Sequence, residues 1–222
     1  MKLAGIFEGQ EDFRYQAEAK ELAHAIGRWV AEHNAETPIK DLFYQRQLPQ
    51  GTTGYLKSVQ SMGITGYDDL SFGFVDGGQS EAYMATGTDE NRRAYFVFVR
   101  VYDVADKLDV MYSMRWSHLI HEFTHYIDRK RSNTRLTKPH ASVEKYYNSP
   151  MEFNAYFHQG LYQLSLAFRK GVPEFPEFLR QAQIEFDENW RAHMTPETRR
   201  RFLRRLHGVW QSLKTPASEA GA

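Results

Sequence analysis

The spacing of apolar residues changes period along the chain, and each change marks a change of element. Across residues 13–33, Tyr15, Leu22, Ile26, Trp29, Val30 and His33 recur at intervals of three, four and seven with charged residues between them, which predicts an amphipathic helix. Residues 37–66 are interrupted by Pro38, Pro49, Gly51, Gly54, Gly63 and Gly66, so loop is expected there, with one short element around residues 39–44. Across residues 70–102 the period falls to two. Leu70, Phe72 and Phe74 alternate with smaller residues, and the run AYFVFVRVY at 94–102 is β-branched and aromatic nearly throughout, as a strand buried on both faces would be. With EAYMAT and the turn-rich GTDEN before it, the stretch 80–102 reads as a β-hairpin. Such a run is core sheet on its simplest reading, and an exposed strand beside it could pair with an extended peptide.

After residue 109 the helical period returns and stays. Residues 110–132, VMYSMRWSHLIHEFTHYIDRKRS, read as one long helix whose basic last turn suits the negative end of the helix dipole. Residues 150–170 form a second, with Ser149 as cap and Pro150 at its first position. Pro173 and Pro176 then punctuate two more, at 176–193 and 196–213, before a flexible tail at 215–222. The expected fold is α+β: a single domain over 1–222, with a backing helix and small twisted sheet in about 1–109 and a mostly helical half in about 110–214.

Composition narrows the function classes. The 222 residues include 41% hydrophobic and 14% aromatic positions, enough apolar surface for a sizeable core. Lys and Arg number 28 and so do Asp and Glu, so no global field draws the chain to nucleic acid or anionic lipid. There is no cysteine, which removes disulfides, thiolate metal sites and thiol nucleophiles together. Any metal must sit on histidine and carboxylate. The opening MKLAGIFEGQEDFRY reaches Glu8 before an apolar run of signal-peptide length, and no stretch approaches the roughly 20 apolar residues that span a bilayer. A soluble protein is expected, with no membrane partner, either cytoplasmic or phage-borne or exported by a non-classical route.

The strongest chemical signal is His121-Glu122-Phe123-Thr124-His125, an HExxH within a predicted helix. Positions i and i+4 lie one above the other on a helix, so both imidazoles can face one metal ion while the glutamate stands beside them. By chance the motif arises roughly 0.03 times in a chain of this composition and length. A catalytic zinc takes three protein ligands and keeps one position open for water. Glu152, which opens the next predicted helix in YYNSPMEFNAYF, can return antiparallel to supply the third; its bland reading is a favourable acid in a first helical turn. His118 competes for that place. At i, i+3 and i+7 one helix wraps poorly round a tetrahedral ion, its third Cα lying about 10 Å along the axis, so His118 fits a supporting or substrate-facing role better. Asp128 either orients a histidine or pairs with Arg129 or Arg131.

With zinc on His121, His125 and Glu152, Glu122 becomes the general base that takes a proton from water and hands it to a leaving amine, which is amide hydrolysis. A further donor is needed for the oxyanion: Tyr146 and Tyr147 sit just before Glu152 and His158 lies six after it, although tyrosines in a chain with 13 of them commonly serve packing.

HEFTHYID followed by MEFNAYF resembles the gluzincin metallopeptidases, and among them the catalytic domain of anthrax lethal factor and the secreted Pro-Pro endopeptidases. The resemblance covers roughly residues 94–168. It implies a zincin-like fold with zinc on His121, His125 and Glu152, Glu122 as base, and a peptide or protein substrate extended along a sheet edge. In those relatives a tyrosine upstream of the glutamate ligand supports the oxyanion; the position seven before Glu152 is Lys145 here, followed by Tyr146 and Tyr147. Residues 1–80 and the last two helices carry no such likeness, so substrate specificity does not transfer.

Two other readings compete. One is an inactive zincin-like domain that binds a protein partner, against which an intact Glu122 argues. The other is a nucleic-acid-binding protein using the arginines of residues 199–205, against which the neutral net charge argues. A plainer account of that run is an amphipathic helix that buries Phe202, Leu206 and Val209 while its arginines meet Glu185, Asp187 and Glu188.

Overall fold

A computed structural model describes residues 2–47, 52–77, 81–89, 92–101, 104, 116–132, 142–168 and 171–214. Helix α1 (Lys2–Asn34) starts well before the predicted residue 13, in a stretch where Gly5 and Gly9 weaken the helical signal in sequence. Ala19, Leu22, Ala23, Ile26 and Val30 form its buried stripe. The short element expected near 39–44 is α2 (Ile39–Leu42). The loop expected around it needs correcting, since β1 (Tyr44–Gln47) and β2 (Thr53–Ser58) are strands. All four β1 residues are exposed, so β1 has no apolar alternation to betray it; pairing with β2, Tyr44 opposite Leu56, makes it a strand.

Strands β3 (Leu70–Asp76), β4 (Ala82–Asp89) and β5 (Arg92–Val101) complete a five-stranded sheet of order β1-β2-β3-β5-β4. The expected hairpin is β4 against β5, antiparallel, with Ala82 opposite Val99. β3 and β5 run parallel, Leu70 beside Tyr95, so the sheet is mixed. Alternation along β3 separates its faces. Phe72 and Phe74 lie on the face where Phe43 meets Phe74 edge-on, while Val75 joins Leu56, Phe96 and Phe98 in a cluster on the other.

Helix α3 (Trp116–Ser132) carries HExxH; residues 110–115 of the predicted helix lie outside the described residues. The ring of Trp116 fills the place where any side chain at Gly27 of α1 would go, so that glycine is what lets the indole reach the helix backbone. After α3 come α4 (Val143–Tyr147), which no sequence pattern announced, and α5 (Pro150–Ala167), capped by Ser149 with Pro150 at its first position as expected. The helix predicted over 176–193 is two: α6 (Phe175–Glu185) and α7 (Glu188–Ala192). Phe186 adopts an extended backbone between them, and Asp187 caps α7 by accepting from the Trp190 amide at 2.7 Å. Helix α8 (Pro196–Lys214) buries Phe202, Leu206 and Val209 as predicted. Phe153, Phe157, Phe178, Phe186, Trp190 and Phe202 make the core among these helices.

The architecture is therefore α+β, a small mixed sheet with several helices. The chain divides into two compact units, Lys20–Tyr126 and Met1–Ala19 with Ile127–Ala222, and both boundaries fall inside helices, α1 and α3. The tail expected at 215–222 lies outside the described residues.

Candidate metal centre

Helix α3 is buried on most of its circumference. Leu119, Ile120, Phe123, Tyr126 and Ile127 are each at most 1% exposed, and the Thr124 hydroxyl donates to the Ile120 carbonyl at 2.7 Å, so the helix can afford a polar residue inside one turn. Its rotation is set at Tyr126, whose ring meets Tyr95 edge-on and whose hydroxyl donates to Asp69 Oδ1 at 2.6 Å. Burial first, then the hydrogen bond to Asp69, pushes the Tyr126 phenol well above its usual pKa and keeps it a donor.

That rotation leaves His121 and His125, one turn apart and each 7% exposed, with ring centroids 4.8 Å from each other at 83°. Glu152 stands in the first turn of α5. Ligand atoms of His121, His125 and Glu152 all lie within 4.8 Å of one another, a buried group that could hold a metal ion. Ser149 Oγ accepts from the Glu152 amide at 3.3 Å, but the Ser149 amide, which a capping-box glutamate would serve in return, already donates to the Tyr146 carbonyl at 3.1 Å. Glu122, next to His121, is half-buried, and so is His118.

Tyr146 and Tyr147 end α4, five residues before Glu152. The Tyr147 ring stacks on His193 with centroids 5.0 Å apart and packs against Tyr146 and Tyr156, while its carbonyl accepts from the Trp190 indole at 3.2 Å. Sequence reading passed over Tyr156. It lies one turn beyond Glu152 on the same helical face, stacked on Trp190 at 5.5 Å. Burial foremost, with Tyr146, Tyr147, Glu152 and Asp187 adding to it, raises the Tyr156 phenol above its ordinary pKa, so its hydroxyl stays protonated at any working pH. The i+4 spacing from Glu152 was the available signal.

His158 faces elsewhere. Six residues past Glu152 puts it about 240° round α5. It is fully buried, and its Nε2 lies 3.1 Å from Arg205 Nη2. Arginine only donates, so Nε2 is the acceptor and the ring carries its proton on Nδ1. Asp128 accepts from Asn154 Nδ2 at both carboxylate oxygens, 3.0 and 2.9 Å. Of the arginines in 199–205, Arg205 donates to Asn154 and His158, and Arg201 lies over the Phe153 ring at 4.3 Å. Arg200, Arg201 and Arg204 also border an open cleft of about 590 Å³ with Glu197 and Asn148.

Comparison with family models, with curated proteins and with solved structures finds no match. No helix among the described residues is long and apolar enough to cross a membrane.

Proposed function

We propose that the protein is a zinc-dependent metallopeptidase of the gluzincin kind, with zinc on His121, His125 and Glu152. The observation that supports this most is the approach of those three ligand atoms to within 4.8 Å, with Glu122 next in sequence to the first histidine. Two imidazoles and one carboxylate suit zinc, and donors on a tetrahedral ion stand roughly 3.4 Å apart, a spacing small side-chain rotations reach from 4.8 Å. Zinc there would supply Lewis acidity to a peptide carbonyl and bring the pKa of a water towards neutrality. Glu122 takes the proton of the attacking water and returns it to the departing amine. A tyrosine hydroxyl donates to the developing oxyanion: Tyr146 and Tyr147 are the choices named from sequence, and Tyr156 joins them as a phenol held protonated beside Glu152. The substrate on this reading is an extended peptide paired to the outer edge of β4, the last strand in the sheet order.

Purified protein should hold about one zinc per chain, and His121→Ala or Glu152→Ala should lose it. Glu122→Gln should keep the metal and lose cleavage of a peptide library. Full zinc retention by Glu152→Ala, or undiminished cleavage by Glu122→Gln, would overturn the assignment.

A further inference from the structure

We infer that Asn154 is a positioning residue for the metal centre, held in its working orientation by Arg205 of α8; the inference rests on the metal-site reading above. Asn154 lies two residues after Glu152 on α5 and bonds Asp128, which lies one turn after His125 on α3. Helix α5, which carries Glu152, and helix α3, which carries both imidazoles, are thus tied to each other by this pair.

The chemistry of the three groups fixes their order. Arg205 can only donate, so the Asn154 atom it meets at 2.8 Å is the carbonyl oxygen Oδ1. The amide nitrogen is then the end that faces Asp128, where one nitrogen reaches both carboxylate oxygens, at 3.0 and 2.9 Å. Were the amide turned over, its nitrogen would meet a guanidinium and its oxygen a carboxylate, two repulsive contacts in place of two charge-assisted bonds. Arg205 is itself held, with its guanidinium 4.2 Å above the centre of the Phe157 ring and a second donation to the buried His158. Asn154 is half-buried, so these bonds work at reduced dielectric and constrain the α3–α5 spacing more tightly than a surface pair would. Groups that orient ligands from behind typically change metal affinity by 10–100-fold when removed.

Cobalt(II) serves as the probe, since its visible spectrum reports ligand geometry and its affinity is measured by chelator competition. Asn154→Asp sets two carboxylates face to face; it should weaken cobalt binding at least tenfold and alter the spectrum of the loaded site. Asp128→Asn with Asn154→Asp reverses the pair, since an amide at 128 again donates to a carboxylate at 154 that Arg205 still binds. The double variant should return affinity to within about threefold of the unaltered protein, together with the original spectrum. A merely stabilising contact would shift the thermal melt of the metal-free protein and leave affinity and spectrum alone.

Arg205→Met keeps the stem and removes the donors, and reads the same chain from its far end should Asn154→Asp fail to fold; several-fold weaker binding is expected. Unchanged affinity and spectrum in Asn154→Asp, or in Arg205→Met where that is the variant that folds, overturns the positioning role alone. So does a folded double variant no better than the single one. Failure of the unaltered protein to bind cobalt or zinc overturns the metal-site reading, and this inference falls with it.

Discussion

Acidification should destabilise this protein through His158. The ring is fully buried, accepts from Arg205 at Nε2, and has its pKa held well below 6.5 by burial first and then by the positive charges of Arg205 and Arg131. A histidine whose folded pKa is depressed binds its proton more readily in the unfolded chain. Above the unfolded value of about 6.5 neither state is charged and the group contributes no pH dependence. Below it the unfolded state gains protons that the folded state refuses, and stability falls with a slope approaching 1.4 kcal/mol per pH unit, about 1.4 kcal/mol by pH 5.5. For a chain of this length that is a fall in Tm of about 3–6 °C. His158→Gln is the control, because its side-chain oxygen can accept from Arg205 and nothing in it titrates. Urea unfolding of both proteins from pH 8 to pH 5 should give curves whose difference is flat above 6.5 and narrows in favour of the variant below it; subtraction cancels every other titrating group. Parallel curves across the whole range would show that His158 takes up its proton in the folded state, and the account of its closed, Arg205-facing environment would be refuted.

Gly160→Ala should lower stability by about 1–3 kcal/mol although alanine is the better helix former by about 1 kcal/mol. The new Cβ would come within 2.7 Å of Phe186 Cε1 and closer to two other ring carbons, and that ring is wedged against Phe157, Trp190 and Phe202; a thermal melt showing the variant more stable would refute this. Asp69→Ala removes the acceptor of the buried Tyr126 hydroxyl and should cost about 1–3 kcal/mol by urea unfolding, more than Tyr126→Phe, which removes donor and demand together. Chelation should abolish any peptidase activity and zinc should restore it, whereas Glu122→Gln should stay inactive at every zinc concentration, with a loss of about 10²–10⁴-fold in the cleavage rate.

What could be read from the sequence depended on whether each residue's role was local. The HExxH spacing, the Ser149-Pro150 helix start and the inward stripe of Phe202, Leu206 and Val209 are fixed by helix geometry within a few residues, and all three appear in the structure as read. β1 was not legible, because four exposed residues become a strand only by pairing with β2. The break at Phe186 was hidden for a related reason. A helical pattern runs across it, but an extended Phe186 buries its ring beside Gly160 and frees Asp187 to cap α7.

The bonds around the candidate site were harder still to read, because they join residues far apart in sequence. Candidate ligands at i and i+4 advertise themselves, whereas Asn154, Arg205 and Asp128 come from three helices and meet only once α3, α5 and α8 are brought together. Asp128 illustrates the difference. Its sequence neighbours offered a histidine or an arginine, and nothing near it in sequence announced its bond to an amide 26 positions away. An asparagine there does what neither charged residue type could: it presents an acceptor to the arginine and a donor to the carboxylate at once. Replacing it by aspartate or by lysine keeps one of those bonds and inverts the other, so the pairing can be restored only by changing its partner too. The paired Asp128 and Asn154 substitution therefore tests more than one contact. It asks whether metal affinity depends on that amide, or on the aromatic packing of the helices around it.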